Sequence, residues 1–488
     1  MGKKKKLTPS EENGVEYRRA KTWQIALSQL NGGAGMAFYI LMGMASYIAN
    51  AGYGIAVAVT GIILTGTRVL DGITDPIIAV VFDKMNTRFG KLRIGLFTGW
   101  LLEALAVLMM FVWGSSGKLG IIFFVFTYVI YIIGYTINGV AGNVIGPVMV
   151  NDPKQRPVIN VWGTAYAYFF PMVFSMVITV GILPRYGNQY TVPMLGASCI
   201  FIVVVSFILE VLTCIGVSYV DKPENFEGIS TKKTDKVTLK DMANLLKGNR
   251  PLQMFIVSAA SDKLAQQIGS QAVVATLLFG ILIGNMQISS IITVVAMLPS
   301  LLFAIVGAKH AGKVGNKEAM VIWTKVCIVI TAISILFCTV VDMRQITVAL
   351  IPTVIFFLLT LALNGAKMCV STATSSMRAD VIDYELDRSG KYLPAAVSAT
   401  YSFIDKVVSA ISSTIAAGSV ALIGYKTVMP QPTDSPTTAI FVLSMVLYYV
   451  FPVVGWICTL VAMKWYKLSK QEMVEVQKRI QEKKQEAA

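Results

Sequence analysis

Three ionisable residues stand inside one apolar stretch, Arg68, Asp71 and Asp75, at i, i+3 and i+7. On a 3.6-residue helix that spacing puts all three on one face. An ionised group at the centre of a membrane helix costs roughly 2.5–3.5 kcal/mol on insertion scales, so three together must face a cavity or partners. Two carboxylates one turn apart make a hard oxygen site for a small cation or a proton, and a single arginine neutralises only one of them. A salt bridge that merely locks helices is the alternative reading.

Other apolar stretches carry polar residues in helical register. Thr136, Asn138 and Asn143 stand among Gly134, Gly139, Gly142 and Gly146, which permit close helix approach and offer hydroxyl or carbonyl ligands. Ser398, Ser402, Asp405 and Ser409 recur at i, i+4, i+7 and i+11, with Lys406 adjacent. A lysine buried there needs a carboxylate, and the candidates are Asp71, Asp75 and Asp405. Lys263 shares a face with Gln267 and Ser270, and Lys367 with Asn364 and Ser371. Either lysine could instead snorkel to a nearby cytoplasmic end. Glu103, Glu210 and Lys325 read as packing or interface charges.

The elements that must position these residues are membrane helices. Of 488 residues 55% are hydrophobic and 14% charged, with a mean hydropathy of +0.65. A soluble protein is about 25% charged, so a water-soluble enzyme, a disordered tail and a nucleic-acid module are excluded. A bilayer core of roughly 30 Å needs about 20 apolar helical residues. Cutting the chain by that rule predicts an all-α polytopic membrane protein with twelve spans: 23–48, 53–82, 94–113, 119–150, 158–182, 192–220, 251–283, 286–308, 320–341, 345–375, 394–424 and 437–463.

The spans group into a basic N-terminal tail (1–22), a six-helix half (23–220), a central loop (221–250), a second six-helix half (251–463) and a charged C-terminal tail (464–488). The N-terminal tail lacks the pattern of a cleaved signal peptide and is expected to stay attached. Of the 42 Lys and Arg, 33 fall on the predicted inner side and four in outer loops, which predicts both termini in the cytoplasm. The same asymmetry accounts for the net charge of +15 without a nucleic-acid partner. Leu239, Met242, Leu245 and Leu246 form a helical stripe in the central loop, read as a linker helix. Arg88-Phe-Gly-Lys91 echoes Lys313-Val-Gly-Asn-Lys317, as expected of duplicated transporter halves.

The six cysteines fall in apolar runs without metal or disulfide spacing, and the single histidine, His310, is placed in a polar loop. Neither a metal centre nor a Cys-His or Ser-His catalytic arrangement is available from them. No enzyme activity and no cofactor are expected.

Arg68-Val-Leu-Asp71-Gly-Ile-Thr-Asp75-Pro76, followed by Arg88-Phe-Gly-Lys91, resembles the second helix and following loop of the glycoside-pentoside-hexuronide:cation symporters. These form the melibiose-permease-like branch of the major facilitator superfamily. Ala379-Asp380-Val-Ile-Asp383-Tyr384, then Arg388-Ser-Gly390-Lys391, resembles that family's loop between helices ten and eleven. The resemblance implies a major facilitator fold of two six-helix halves. It also implies that Asp71 and Asp75 bind the coupling cation, Na+ or H+, with Thr136 as a further ligand and Lys406 beside the site. Gapless matching from these motifs places Gly35, Gly139, Asn143, Thr164 and Ser371 where the galactoside carriers have their sugar-binding side chains. The cation set is retained and the galactoside set is missing.

The function expected is therefore cation-coupled symport of a sugar or glycoside by alternating access, with an anionic derivative such as a hexuronide or sulfosugar as cargo. Two carboxylate positions are glycines here, and Lys263 and Lys367 add positive charge. At an effective dielectric near 20, one charge pair about 4 Å apart is worth roughly 4 kcal/mol. Arg68, Asn143, Lys263, Gln267, Asn364 and Lys367 are the candidate substrate residues. Asp83, Arg88, Gly90, Asp380, Asp383 and Tyr384 are the candidate cytoplasmic gate. The partners expected are a small solute, the coupling cation and the lipid of a plasma or inner membrane, with the protein monomeric. A flippase of an amphipathic solute such as a lysolipid is the alternative.

Overall fold

The computed structural model describes residues 19–67, 78, 90–115, 119–150, 155–222, 245–390 and 394–486. These are helical in the segments expected. In chain order they are α1 Thr22–Met42, α2 Ala45–Tyr53, α3 Val57–Thr67, α4 Lys91–Trp113, α5 Gly120–Met149, α6 Arg156–Met176, α7 Val192–Val217, α8 Arg250–Gly269, α9 Ala272–Leu282, α10 Gln287–Val314, α11 Asn316–Val340, α12 Leu350–Ser389, α13 Pro394–Leu422, α14 Thr438–Trp465 and α15 Lys470–Glu486. Nine helices among the described residues are long and apolar enough to cross a membrane, and α8 with α9 adds a tenth span bent by 56°. The shorter helix α3 and the apolar start of α10, Gln287–Ala296, occupy the remaining predicted positions. The chain is a multi-pass membrane protein. Its outward side chains agree, since Ile122, Leu336 and Leu422 are exposed on helices that have no charged face to offer water.

Contacts divide the chain into two units. The first holds the described residues of Met1–Gly54, Leu70–Ile178 and Thr191–Lys233, and the second those of Ile55–Val69, Thr179–Tyr190 and Thr234–Ala488. In the first unit α4 packs along α5 and against α7, and α1 packs against α6 and α7. Gly99 and Gly134 set the α4–α5 approach. A Cβ on Gly134 would lie 2.7 Å from the Glu103 backbone nitrogen, and one on Gly99 would lie 2.6 Å from that of Asn138. In the second unit α8 packs against α13 and α14, and α12 against α10 and α11. There α3 runs along α13, with Thr65 Oγ1 donating to the Ala410 carbonyl at 2.7 Å.

The echoed loop sequences adopt one backbone conformation. Gly90 (φ 95°, ψ 155°) precedes α4, and Gly315 (φ 109°, ψ 153°) precedes α11. Both lie where side chains are strained, which explains a glycine at each. Asp221, at the end of the last helical turns of its unit, accepts from the backbone nitrogens of Lys91, Leu92 and Arg93 at 2.8, 2.9 and 2.9 Å. Arg93 Nε adds a bond of 3.1 Å to the same carboxylate. A carboxylate at a helix start satisfies orphan N–H groups and complements the macrodipole. The repeat in the sequence is thus a repeated helix entry.

Two loops expected from the sequence are shorter in the structure. The segment 376–393 is helical to Ser389, because α12 continues past the length a bilayer requires: 40 residues rise about 60 Å. Likewise α10 runs through His310 to Val314. His310 is therefore a helical residue, accepting at Nδ1 from Trp323 Nε1 at 3.1 Å, and not part of a polar loop.

Candidate functional site

The second unit gathers charged and aromatic side chains from four helices. On α8, Asp262 accepts from Trp456 Nε1 of α14 at 3.1 Å and from Gln266 Nε2 at 2.7 Å. Trp456 is 1% exposed, and Lys367 of α12 sets its Nζ 5.8 Å from the indole centroid. Lys367 thus lies against a buried indole, within electrostatic reach of Asp262. Next to Asp262, Lys263 reaches the Asp405 carboxylate of α13 at 3.6 Å. Asp405 Oδ1 is buried and accepts no hydrogen bond.

One turn before Asp405, Tyr401 holds the Arg378 guanidinium 4.1 Å from its ring centroid. Phe255 of α8 packs against the same ring, with centroids 5.5 Å apart. Lys406 follows Asp405 on α13, half-buried. Among the described residues of this cluster, three cations, Lys263, Lys367 and Arg378, stand against two carboxylates, Asp262 and Asp405. The excess of one positive charge, on side chains held against the rings of Trp456 and Tyr401, suits an anion. Gln267 lies on α8 one turn beyond Lys263, its side-chain oxygen accepting from Ser270 Oγ at 3.3 Å. Asn364 is half-buried on α12, one turn before Lys367.

In the first unit Thr136 is buried on α5 and Asn143 is exposed on the same helix. Asn138 is buried and accepts from Asn31 Nδ2 of α1. Arg68, Asp71, Asp75, Asp83 and Arg88 lie outside the described residues. Of the residues resembling a cation site, Thr136 and Lys406 are described, in the first and second unit respectively.

The acidic motif at the end of α12 is bound on every side within its unit. Asp380 accepts from Asn316 Nδ2 at 2.7 Å, Asp383 from Gln477 Nε2 at 2.8 Å and Asp387 from Arg479 Nε at 2.8 Å. Tyr384 is half-buried on the same turns of α12. Glu385 pairs with Arg388 at 2.9 Å and with Asn249, the residue that caps α8, at 2.7 Å. Gln477 and Arg479 belong to α15, whose Lys470 Nζ also donates to the Lys313 carbonyl at 2.6 Å. A cavity of about 500 Å³ lies under α15, lined in part by Gly315, Asn316, Asp380 and Asp383. Gly90, the remaining gate candidate, is the helix entry held by Asp221.

Sequence reasoning missed Asp262, Arg378, Tyr401 and Trp456. Asp262 and Gln266 are four apart on a helix and share a face, a signal that was available. The thiols are free, and Cys458 is exposed on α14 while Cys199, Cys327, Cys338 and Cys369 are buried.

The family described as MFS/sugar transport protein matches residues 28–470. YagG of Escherichia coli strain K12, whose name assigns it to glycoside/cation symport, is 24% identical over 89% of each chain. The uncharacterized symporter YjmB of Bacillus subtilis strain 168 is 21% identical over 81% of each chain. Among solved structures, the nucleoside transporter NupG superposes with a TM-score of 0.59 at 15% identity, covering 91% of this chain and 99% of its own. A bacterial homologue of the iron transporter ferroportin gives 0.56 at 14% identity, over 92% of this chain and all of that one. Those two likenesses concern the fold.

Proposed function

The chain belongs to the MFS/sugar transport protein family, and from that premise we propose that it carries an anionic sugar derivative, a hexuronide or a sulfosugar, in symport with a cation. A sugar/cation-type secondary transporter of the major facilitator fold is what the family and the relatives establish. The anionic cargo rests on one observation, the excess of cations over carboxylates around Trp456 and Tyr401 in the second unit. Lys367 and Arg378 are each held against an aromatic ring, which fixes their charge where an anionic group of the cargo can meet it.

The coupling ion, Na+ or H+, binds Asp71 and Asp75 with Thr136, and Lys406 offsets their charge. Binding of ion and cargo favours the change between outward-facing and inward-facing states of two six-helix halves, 23–220 and 251–463, joined by 221–250. Residues 83–93 and the end of α12 latch the inner side. The protein works as a monomer in a plasma or inner membrane, with both termini in the cytoplasm.

Thermal stabilisation of the purified protein tests the cargo. A ligand at 100 times its Kd adds about 2.7 kcal/mol. Glucuronides, galacturonides or sulfoquinovose are expected to raise Tm and neutral galactosides are not, and the reverse result refutes the anionic reading. Asp71→Asn and Asp75→Asn test the coupling. Each is expected to abolish concentrative uptake while leaving the protein inserted, and accumulation against a gradient by either variant removes the assigned cation site.

A further inference from the structure

The first unit buries two carboxylates that the cation site does not use. Glu103 on α4 is 1% exposed and Glu210 on α7 is 0% exposed, and none of their four carboxyl oxygens has a hydrogen-bond partner. The two lie within electrostatic reach of each other. Asn31 of α1 and Asn138 of α5 turn their amides toward Glu210, short of hydrogen-bond geometry. Asn138 Nδ2 is itself buried and unbonded. Four helices therefore bring two acids and two amides to one interior place, with donors and acceptors left open.

No cation is at hand among the described residues. Of the elements packed around the pair, α5 carries no charged residue, and α7 adds only Cys214 near Glu210. On α1 the group turned toward Glu210 is the Asn31 amide. On α4 the cations are Lys91 and Arg93, at the helix start. Arg93 lies ten residues from Glu103, about 15 Å along the axis, and is bound to Asp221. Burying an ionised carboxylate without a counter-ion costs several kcal/mol even after relaxation, and such a group takes up a proton instead.

We infer that Glu103 and Glu210, with the amides of Asn31 and Asn138, form a proton-binding site inside the first unit, separate from Asp71 and Asp75. A proton fits where a metal ion does not. Among the described residues no third Asp, Glu, His or Cys joins the pair to hold a metal ion. A proton on one carboxyl supplies the O–H donor the cluster lacks, for the carbonyl oxygen of an amide or for the second carboxylate. The site is independent of the nature of the cargo.

Infrared spectroscopy of the purified full-length protein, without substrate, tests this directly. At neutral pH a carbonyl band of protonated carboxylic acid is expected, with slow deuterium exchange. It should weaken in Glu103→Gln or Glu210→Gln and weaken further in the double variant. A spectrum unchanged by both substitutions overturns the site, and loss of the band on adding sodium makes it a metal site instead. Thermal melts supply the second readout. Neutral carboxyls in the folded protein and ionised ones in the unfolded chain make stability fall as pH rises. The wild-type Tm should therefore drop between pH 6 and pH 9 more steeply than that of the double glutamine variant. Equal slopes, or glutamine variants that fail to fold at neutral pH, contradict the proposal. Because neither measurement involves cargo or Asp71 and Asp75, failure here leaves the symport reading standing, and failure of the symport reading leaves this site standing.

Discussion

Asp262 and Asp405 in the second unit, and Glu103 and Glu210 in the first, are pairs of acids set within membrane helices with opposite surroundings. Asp262 accepts from an indole and an amide and attracts Lys367, and Asp405 meets Lys263 at 3.6 Å. Glu103 and Glu210 have open oxygens and no described cation. In the second unit each acid has a cation beside it. In the first unit no described cation is beside the pair, so on the proposal above it is neutral by holding protons. A carboxylate in a membrane helix thus signals different chemistry according to whether a cation shares its interior, since desolvation is offset by pairing in one case and by protonation in the other.

Substitutions that exchange acid for amide or alanine probe this contrast. The largest effect is expected at Asp262→Ala. It strips Trp456 Nε1 and Gln266 Nε2 of their acceptor and leaves Lys367 without a nearby carboxylate, at a cost of about 3 kcal/mol for two charge-assisted hydrogen bonds. A fall in Tm measures it, and a second substitution, Lys367→Met, should recover part of the loss. A melt unaffected by Asp262→Ala would place the second unit's acid in the same class as the first unit's.

Next in size is Lys263→Gln. Its side chain and that of Asp405 are 36% and 23% exposed, so the pair is partly screened and worth about 1 kcal/mol. The expected stability loss is small, while affinity for an anionic ligand should fall about tenfold, the equivalent of 1.4 kcal/mol. Binding that is unchanged would remove Lys263 from the cargo site. Smaller still is Glu103→Gln, which exchanges one neutral group for another if the acid is protonated. A change in Tm at neutral pH equivalent to under about 0.5 kcal/mol is expected, against the destabilisation of 1–3 kcal/mol usual when a buried group loses its partner.

The spans were legible because a 20-residue apolar run is set by bilayer thickness and leaves its mark on composition. The same rule misplaced the end of α12. A helix leaving the membrane has no reason to stop at that length, so the acidic motif read as a loop is the last turns of a helix. Gly90 and Gly315 were legible as an echo, and their common φ near 100° supplies the reason. Asp221, which caps α4 from 130 residues away, was not. Nor was the meeting of Glu103 with Glu210, because helices far apart in sequence come together through packing that no local pattern records. Lys263 and Lys367 were found as anomalies in apolar segments, but their partners were not. Asp262 was hidden by its position beside Lys263, and Trp456 by its apolar surroundings.

Uptake of a labelled hexuronide into proteoliposomes, driven by an imposed sodium or proton gradient, tests the central claim most directly. The expected result is accumulation above the outside concentration with one of the two gradients, blocked by other uronides or sulfosugars, insensitive to neutral galactosides and lost in Asp71→Asn. Accumulation of a neutral galactoside with no competition from uronides, or hexuronide uptake that persists undiminished in Asp71→Asn, would contradict it.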